Sequence, residues 1–303
     1  MSKFLIIGEA LVDIVERPGQ ETQEYPGGSP ANVALGLARL GNDVELLTWF
    51  GGDERGGAIL RHLTASGVQL SPGSDTAERT STARAQIDAE GVATYEFDLE
   101  WRLPELVAEP DVRCVHTGSI AAVLKPGGEQ VLDLVRSSRD RATVTYDPNL
   151  RPVLMGTSAD TLPVVEALIE ISDVVKVSDE DLAWLSPGAD PRDIARDWAA
   201  RGPSLVVVTL GGEGAFAVTA TGHETQVAAP RVSVADTVGA GDSFMGGLLD
   251  GLGHADLLGA ENRTTLREIS PETVEAILGQ AVRIAAITVS RPGANPPTRA
   301  ELG

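Results

Sequence analysis

The stretch "VADTVGAGDSFMGGLLDGL", residues 234–252, combines a glycine-rich turn, one carboxylate and the start of an apolar run. After Asp242 the apolar positions recur at helical spacing, which predicts a helix that begins near Ala240 with Asp242 in its first turn. Gly239 and Gly241 flank Ala240 and leave the free N–H groups of this turn without side-chain obstruction. Together with the helix dipole, such N–H groups form a site suited to an anion.

Asp242 has two interpretations from this stretch alone. In the first, it is an ordinary acidic residue favoured by the dipole at a helix start. In the second, it serves chemistry, because a carboxylate would repel an anion in a site that only binds one. A carboxylate placed there can take a proton from a hydroxyl group that attacks phosphorus, while the N–H groups of Gly239, Ala240 and Gly241 stabilise charge on the transferred oxygens.

A second glycine-rich stretch, "YPGGSPANVALGLARLG", precedes another helix, expected over about residues 29 to 40. Ser29 is expected to be the N-cap, with Pro30 in the first turn and Gly41 at the end. A well-capped helix after a turn is one explanation of the pattern.

A ligand site is the other explanation of the same segment. Paired glycines let a polyhydroxylated ligand approach the backbone closely. Asn32 places an amide in the first helical turn, and Asp13, after "GEALV", offers a further carboxylate. The residues expected to accept or donate hydrogen bonds to such a ligand, or to make room for it, are Asp13, Gly27, Gly28 and Asn32.

The charge of the chain excludes some classes of function. Its 303 residues include 24 Lys and Arg against 44 Asp and Glu, giving a net charge of −20. Such a surface repels phosphate backbones and anionic lipid, so neither a nucleic acid nor a membrane is an expected partner. The single cysteine, Cys114, has no internal partner for a disulfide. The apolar run at residues 4–7 is too short for a signal peptide or a membrane span, and a cytoplasmic protein is expected.

Short apolar strands alternate with helical segments along most of the chain. The strands are expected in "KFLIIG", "DVELLTWF", "VRCVHTG", "ATVTYD", "DVVKV" and "SLVVVTL". Helices are expected at about 29 to 40, 53 to 66, 126 to 138, 160 to 171 and 190 to 201. This alternation predicts an α/β fold whose mostly parallel sheet is covered on both faces.

Two segments show a period of two instead. Residues 80–100 alternate apolar and polar positions on either side of a turn at Glu90 and Gly91, and residues 11–26 alternate less regularly. A strand pair is not stable alone, so both segments are expected to join in a small sheet that projects from one domain spanning residues 1–303. Such a projection is a candidate lid.

Other common enzyme signatures are incomplete or absent in this sequence. Gly212 to Ala217, "GEGAFA", matches the loose dinucleotide fingerprint, but the next residues alternate like a strand where a Rossmann fold needs a helix. The sequence contains no G-x-x-x-x-G-K-[ST] phosphate loop and no G-x-S-x-G, and its four histidines lack metal-ligand spacing.

"PGGSPANVALGLARLG" and "DTVGAGDSFMGG", near the two ends of the chain, resemble the two signatures of the ribokinase-like carbohydrate kinases, the PfkB family. The resemblance runs from about residue 3 to residue 297, and "GEALVD" and "YDPNLR" look most like bacterial fructokinases. It implies a three-layer α/β/α ribokinase-like fold, a small β-sheet lid over the sugar, and Mg-ATP as phosphoryl donor.

The resemblance also implies roles for individual residues. It makes Asp242 the base, Gly239 to Gly241 the anion hole, and Asp13, Gly27, Gly28 and Asn32 the sugar contacts. Thr209, Gly211 and Gly214 are expected to line the nucleotide. Arg151 is expected near the phosphates or the sugar, with a surface arginine as the alternative.

The sequence departs from the family at one motif. Many members carry Asn-x-x-Glu to organise magnesium and phosphates, where "VVKVSDEDL" has Ser178 and Asp181. Aspartate is shorter by one methylene, a difference that a water-mediated magnesium contact can absorb, and Glu180 is an alternative to Asp181.

The segments "DTV" and "TVSRPGAN" also resemble those that hold potassium in some members of the family. They implicate Asp236 and Val238 and, more loosely, Thr288, Arg291 and Gly293 as a candidate monovalent-cation site.

The expected activity is therefore phosphorylation of a sugar primary hydroxyl by ATP, with fructose as the expected acceptor. A 2-keto-3-deoxygluconate kinase or another sugar kinase of the family is the alternative within the enzymes, and a regulator that binds nucleotide without turnover is the alternative outside them. If the lid exposes an apolar face, two lids can pair, so a homodimer is a further expectation.

Overall fold

A computed structural model describes residues 3–88, 93–104 and 111–303. The strands in these ranges are β1 (Lys3–Ile7), β2 (Leu11–Glu16), β3 (Gln23–Gly27), β4 (Asp43–Leu47), β5 (Gln69–Leu70), β6 (Thr82–Ile87), β7 (Ala93–Asp98), β8 (Val112–Gly118), β9 (Thr143–Asp147), β10 (Val174–Ser178), β11 (Leu205–Thr209), β12 (Ala215–Thr219) and β13 (Glu224–Val227). The α-helices are α1 (Ser29–Arg39), α2 (Glu54–Thr64), α3 (Gly127–Ser138), α4 (Pro152–Met155), α5 (Ser158–Ile171), α6 (Asp179–Leu185), α7 (Pro191–Arg201), α8 (Ala240–His254), α9 (Arg263–Arg267) and α10 (Pro271–Val289).

Nine strands form the large sheet, in the order β13-β12-β11-β10-β9-β8-β1-β4-β5. The pairs from β11 to β5 are all parallel, and β12 and β13 add an antiparallel edge. The predicted mostly parallel sheet is confirmed. Because parallel strands end at the same edge, the segments that follow β1, β9, β10 and β11 meet there, where α/β folds bind their ligands.

Helices cover both faces of this sheet. On one face, α1, α2, α8 and α10 pack against the sheet through a core that includes Phe4, Val207 and Leu248. On the other face, α3, α5 and α7 enclose a second core that includes Val144 and Val206. The neighbours Val206 and Val207 therefore point into different cores, as the period of two along a strand requires. The predicted three-layer α/β/α arrangement is confirmed.

The small sheet has four strands in the order β3-β2-β6-β7. The two period-2 segments do join, and β6 and β7 form the predicted antiparallel pair. The two segments join through β2 and β6, which pair in parallel. The predicted turn at Glu90 and Gly91 lies outside the described residues.

The N-terminus of α1 differs from the prediction. Its N-cap is Gly28, at φ 106°, and no side chain caps the helix, so the prediction of Ser29 as N-cap was wrong. A Cβ at Gly28 would lie 2.4 Å from the carbonyl oxygen of Glu9, and glycine readily adopts the positive φ. The close passage of two chain segments therefore fixes this residue and frees the Ser29 hydroxyl for another partner.

Glu9 connects the end of β1 to the turn after β8. Its carboxylate accepts a hydrogen bond from the N–H of Ala121 at 3.1 Å, and the indole of Trp101 donates to the carbonyl of the same Ala121 at 2.9 Å. Burial raises the pKa of Glu9 to about 7, and hydrogen bonds from Ser119 and Ala121 offset only part of this effect. Folding thus shifts the Glu9 carboxyl toward its neutral form.

None of the helices within the described ranges combines the length and apolar character needed to cross a membrane.

The interior of α8 provides a test of the packing. Leu248 is fully buried, and its replacement by alanine removes apolar contacts and leaves a cavity. We expect Leu248→Ala to lower the free energy of unfolding by about 2 to 5 kcal/mol, measured by urea denaturation. Leu60→Ala is the control, because Leu60 on α2 is 39% exposed and the loss should be about 0.5 kcal/mol. Equal losses at the two positions would contradict the assigned core.

Glu9 gives the protein a specific dependence on pH. The pKa of this carboxyl is raised from 4.5 to about 7 on folding, so stability is highest below the unfolded value and decreases as pH rises through the folded one. Glu9→Gln cannot ionise and keeps an acceptor for Ala121. We expect the variant to match the wild type near pH 4 and to exceed it by about 3 kcal/mol above pH 7. Urea denaturation across this range checks the prediction, and a difference that does not change with pH would contradict it.

Candidate active site

Asp242 lies in the first turn of α8 and is 7% exposed. The Ser29 hydroxyl donates to its Oδ1 at 2.7 Å, and the amide of Asn32 donates to Oδ2 at 2.8 Å. A longer contact of 3.5 Å joins the Asn149 amide to Oδ1. The carboxylate is thus oriented from both sides by α1 and by the segment after β9.

The helix start itself is free of side-chain caps. Gly239 is the N-cap, at φ 73° in the left-handed region, and no side chain caps the N–H groups of the first turn. A Cβ at Gly239 would lie 2.6 Å from that of Ala294, so both conformation and packing require glycine. Ala240 donates its N–H to Thr237 at 3.3 Å. This uncapped turn, with its positive end of the dipole, is suited to an anion.

A buried ion pair lies beneath this turn. Nζ of Lys176, on β10, donates to Oδ2 of Asp147 at the end of β9, at 2.9 Å, with side chains 4% and 1% exposed. Burial raises the pKa of Asp147 to about 6 although Lys176 opposes this rise. A Cβ at Gly241 would lie 3.0 Å from Nζ, so this glycine admits the lysine as well as leaving the N–H groups unobstructed.

Ser178 and Asp181 lie at the end of β10 and in the first turn of α6. The Ser178 hydroxyl accepts the N–H of Asp181 at 3.0 Å and so caps α6. Oδ1 of Asp181 accepts the N–H of Leu150 at 3.0 Å, which ties α6 to the segment after β9. Glu180 is exposed, whereas Asp181 is half-buried and faces the other acidic groups.

Asp13 on β2 and Gly27 on β3 are diagonal neighbours on one face of the small sheet, where Asp13 pairs with Tyr25 and Gly27 with Leu11. Oδ2 of Asp13 would lie 2.2 Å from a Cβ at Gly27, so glycine is needed for the carboxylate to take this place. Burial raises the pKa of Asp13 to about 6, Arg151 lowers it and Asp242 raises it. These electrostatic effects show that Asp13, Arg151 and Asp242 lie in one region. The Arg151 guanidinium itself donates to Asn149 at 2.7 Å.

The predicted nucleotide residues follow β11. Thr209 ends this strand, and Gly211 is exposed, at φ 51° with open space around it. Gly214 is buried, and a Cβ there would lie 2.0 Å from the Val227 carbonyl oxygen. Packing against the chain after β13 is therefore enough to require glycine at position 214.

Asp236 joins the two segments of the candidate cation site. Its Oδ1 accepts the N–H of Val238 at 3.0 Å, and its Oδ2 accepts the N–H of Gly293 at 2.9 Å. The side chains of Thr288 and Arg291 point elsewhere, since Thr288 bonds within α10 and Arg291 pairs with Glu301. The two segments are adjacent, and what they bind stays a prediction.

Four residues of this region were missed from the sequence as site residues. Ser29 was treated as a cap, and Asp147, Asn149 and Lys176 were quoted only within longer motifs. The sequence offered one signal for two of them, namely a charged residue in each of two apolar strands. A lysine or an aspartate in such a strand is rarely buried unless it is paired. Their pairing across β9 and β10 required the fold.

The residues of this region can supply few metal ligands by themselves. Among the described residues, no group of three or more His, Cys, Asp or Glu side chains is arranged to hold a metal ion. Asp181 uses one oxygen for Leu150, which leaves its second oxygen for a metal or for metal-bound water. One carboxylate together with substrate phosphates is a set that Mg²⁺ commonly uses. The residues present fit a magnesium ion that arrives with a nucleotide.

The family model described as pfkB family carbohydrate kinase matches residues 1–301. A fructokinase from Rhizobium leguminosarum bv. trifolii is 33% identical over 276 residues, which cover 88% of this chain and 84% of that protein.

Solved structures agree with this similarity. Fructokinase from Xylella fastidiosa with bound ATP is similar with a TM-score of 0.81 and 26% identity, over 96% of this chain and 93% of that one. A fructokinase double mutant from Vibrio cholerae O395, bound to fructose, ADP and potassium ion, has a TM-score of 0.80 and 27% identity, over 97% and 94% of the two chains. With its fold, its uncapped helix start and a family match over nearly its whole length, the chain belongs to the pfkB family of carbohydrate kinases.

Proposed function

We propose that this carbohydrate kinase transfers the γ-phosphoryl group of ATP to a primary hydroxyl of fructose. The observation that carries the proposal is the placement of Asp242, which Ser29 and Asn32 hold in the uncapped first turn of α8. The similarity to fructokinases, one of them bound to ATP and another to fructose and ADP, supports the choice of donor and acceptor.

Each part of the site has a role in this reaction. Asp13, with Gly27, Gly28 and Asn32, binds sugar hydroxyls, and Arg151 adds positive charge near the sugar or the phosphates. Asp242 takes the proton of the attacking hydroxyl. The N–H groups at Gly239 and Gly241, together with that of Ala240 once it releases the Thr237 carbonyl, stabilise charge on the transferred oxygens. Single donors of this kind are typically worth about 3 kcal/mol. The small sheet closes over the sugar and excludes water.

The nucleotide is proposed to lie along the end of β11, near Thr209 and Gly211, with Gly214 and Ser178 at its border. Asp181 is the proposed magnesium residue in preference to Glu180, because it is half-buried and held by the Leu150 N–H whereas Glu180 is exposed. Magnesium neutralises charge on the ATP phosphates when bound. Asp236 and Val238 form the proposed monovalent-cation site, and the relative with bound potassium supports its inclusion.

Replacement of the base tests the mechanism. Asp242→Asn keeps the shape and the hydrogen-bond acceptor for Ser29 but cannot take a proton. We expect kcat to fall by about 10² to 10⁴-fold while ATP binding changes little. ADP release under Mg-ATP with fructose measures kcat, and calorimetry measures ATP binding. Asp256→Asn is the control, because the Asp256 side chain is 90% exposed beyond the end of α8. Near-normal turnover of Asp242→Asn would contradict the assignment.

The identity of the sugar is tested by ADP release with fructose, glucose, ribose, 2-keto-3-deoxygluconate and adenosine. We expect the highest kcat/KM with fructose. Higher kcat/KM for another member of the panel would keep the mechanism and change the substrate. ATP binding without turnover on any of the five would favour the regulator that binds nucleotide.

The small sheet also supports a proposed homodimer. Tyr25 and Tyr95 lie on the same face as Asp13 and are 50% and 57% exposed, and Tyr95 stacks on Phe97. Pairing of two such faces would bury these rings. We expect sedimentation to show a dimer at micromolar concentration and Tyr95→Asp to shift it toward monomer. A wild-type monomer under these conditions would contradict the proposal.

A further inference from the structure

Lys176 is a buried cation with unused hydrogen-bond capacity. An ammonium group has three protons to donate. Among the described residues, Nζ of Lys176 donates a hydrogen bond only to Asp147. Its partner is similarly incomplete, since Oδ1 of Asp147 is buried and has no hydrogen-bond partner within residues 3–88, 93–104 and 111–303. Buried ion pairs that serve only stability usually satisfy all their donors and acceptors, because desolvation of both charges is costly.

The ammonium group lies at a helix start, where the dipole opposes a positive charge. Nζ lies beside Gly241, in the first turn of α8, where the uncapped N–H groups carry the positive end of the helix dipole. A cation placed there is repelled by the dipole. Three carboxylates already favour the charged lysine, and this charge adds to the attraction of the N–H groups for a negatively charged group at the helix start.

The surrounding carboxylates require this cation. Asp147 binds Lys176 directly, and Asp181 and Asp242 both interact with it electrostatically. Three carboxylates would otherwise face an incoming polyphosphate with the same sign of charge. Lys176 is well placed to offset part of that repulsion while Asp242 stays close to the transferred group.

We propose that Lys176, oriented by Asp147, is a positioning residue for phosphoryl transfer. It acts through the first turn of α8: its charge holds the turn and Asp242 in place when the transferred group gathers negative charge there. The inference rests on the proposed function. It makes Gly241 the residue that lets the lysine reach the helix, and Asp147 the residue that fixes the direction of its side chain.

A structural pair and a positioning pair predict different results for the double variant. Lys176→Met leaves the Asp147 charge buried and unpaired, so a loss of thermal stability is expected under either explanation. Lys176→Met combined with Asp147→Asn removes both charges and should recover much of that stability. A structural pair would then regain turnover together with stability, whereas a positioning residue would not.

The test therefore compares kcat, KM and the thermal midpoint for the wild type, Lys176→Met and the double variant. We expect the double variant to keep kcat about 100-fold below the wild type, with KM for ATP within about threefold. Arg263→Met is the control, because Arg263 pairs with the buried Asp173, which directly precedes β10 at the strand end far from the site. It should lower the thermal midpoint and leave kcat unchanged.

A binding measurement gives a second readout that does not need turnover. ADP with aluminium fluoride mimics the group in transfer, and ADP alone does not. We expect the double variant to bind ADP alone as the wild type does and to bind the aluminium fluoride complex about 100-fold more weakly. Two results would overturn the inference. One is a double variant that binds both ADP and the aluminium fluoride complex as tightly as the wild type, and the other is a double variant whose kcat lies within about threefold of the wild type. Absence of wild-type turnover on every sugar would count against the proposed function alone, and the binding comparison would still decide the role of Lys176.

Discussion

The carboxylate of Asp242 lies at a helix start that has no side-chain cap, and two hydrogen bonds from α1 hold it there. A buried carboxylate must be hydrogen-bonded or it costs several kcal/mol, so these donors constrain much of the molecule. They require α1 and α8 to pack side by side on one face of the sheet, with their N-termini at the edge where the parallel strands end. Gly28 lets the start of α1 pass close to the Glu9 backbone, and Gly239 lets the start of α8 pass close to Ala294.

Charge in this region is balanced over short distances. The chain as a whole carries a net charge of −20, yet the site is proposed to bind a polyphosphate. Backbone N–H groups, Lys176 and Arg151 supply local positive potential, which offsets part of the negative charge of the nearby aspartates. Local dipoles and single buried cations act over a few ångströms, where solvent screening is weak, whereas the charge of the distant surface is largely screened. A protein this acidic can therefore present a site for an anion.

Much of the fold was predictable because it follows from periodicity. The alternation of apolar strands and helical segments predicted the parallel sheet and its two helical layers, and the period-2 segments predicted the small sheet. The boundary at Ser29 was wrong for a physical reason. Serine is a good N-cap by intrinsic preference, but contact of Gly28 with the Glu9 backbone moved the cap by one residue. The hydroxyl then found a partner 213 positions away in sequence.

The sequence by itself determined the layered α/β architecture, the two glycine-rich helix starts and Asp242 as the candidate base, because these features depend on local spacing and on residue types with few alternatives. Only the tertiary structure decided which groups surround that base. Ser29, Asn149, Lys176 and Asp147 come from three separate parts of the chain, and sequence separation does not encode their distances. Strand order brought Lys176 and Asp147 together, and helix packing brought Ser29 to Asp242, so the hydrogen bonds and the charge balance of the site exist only in the folded protein.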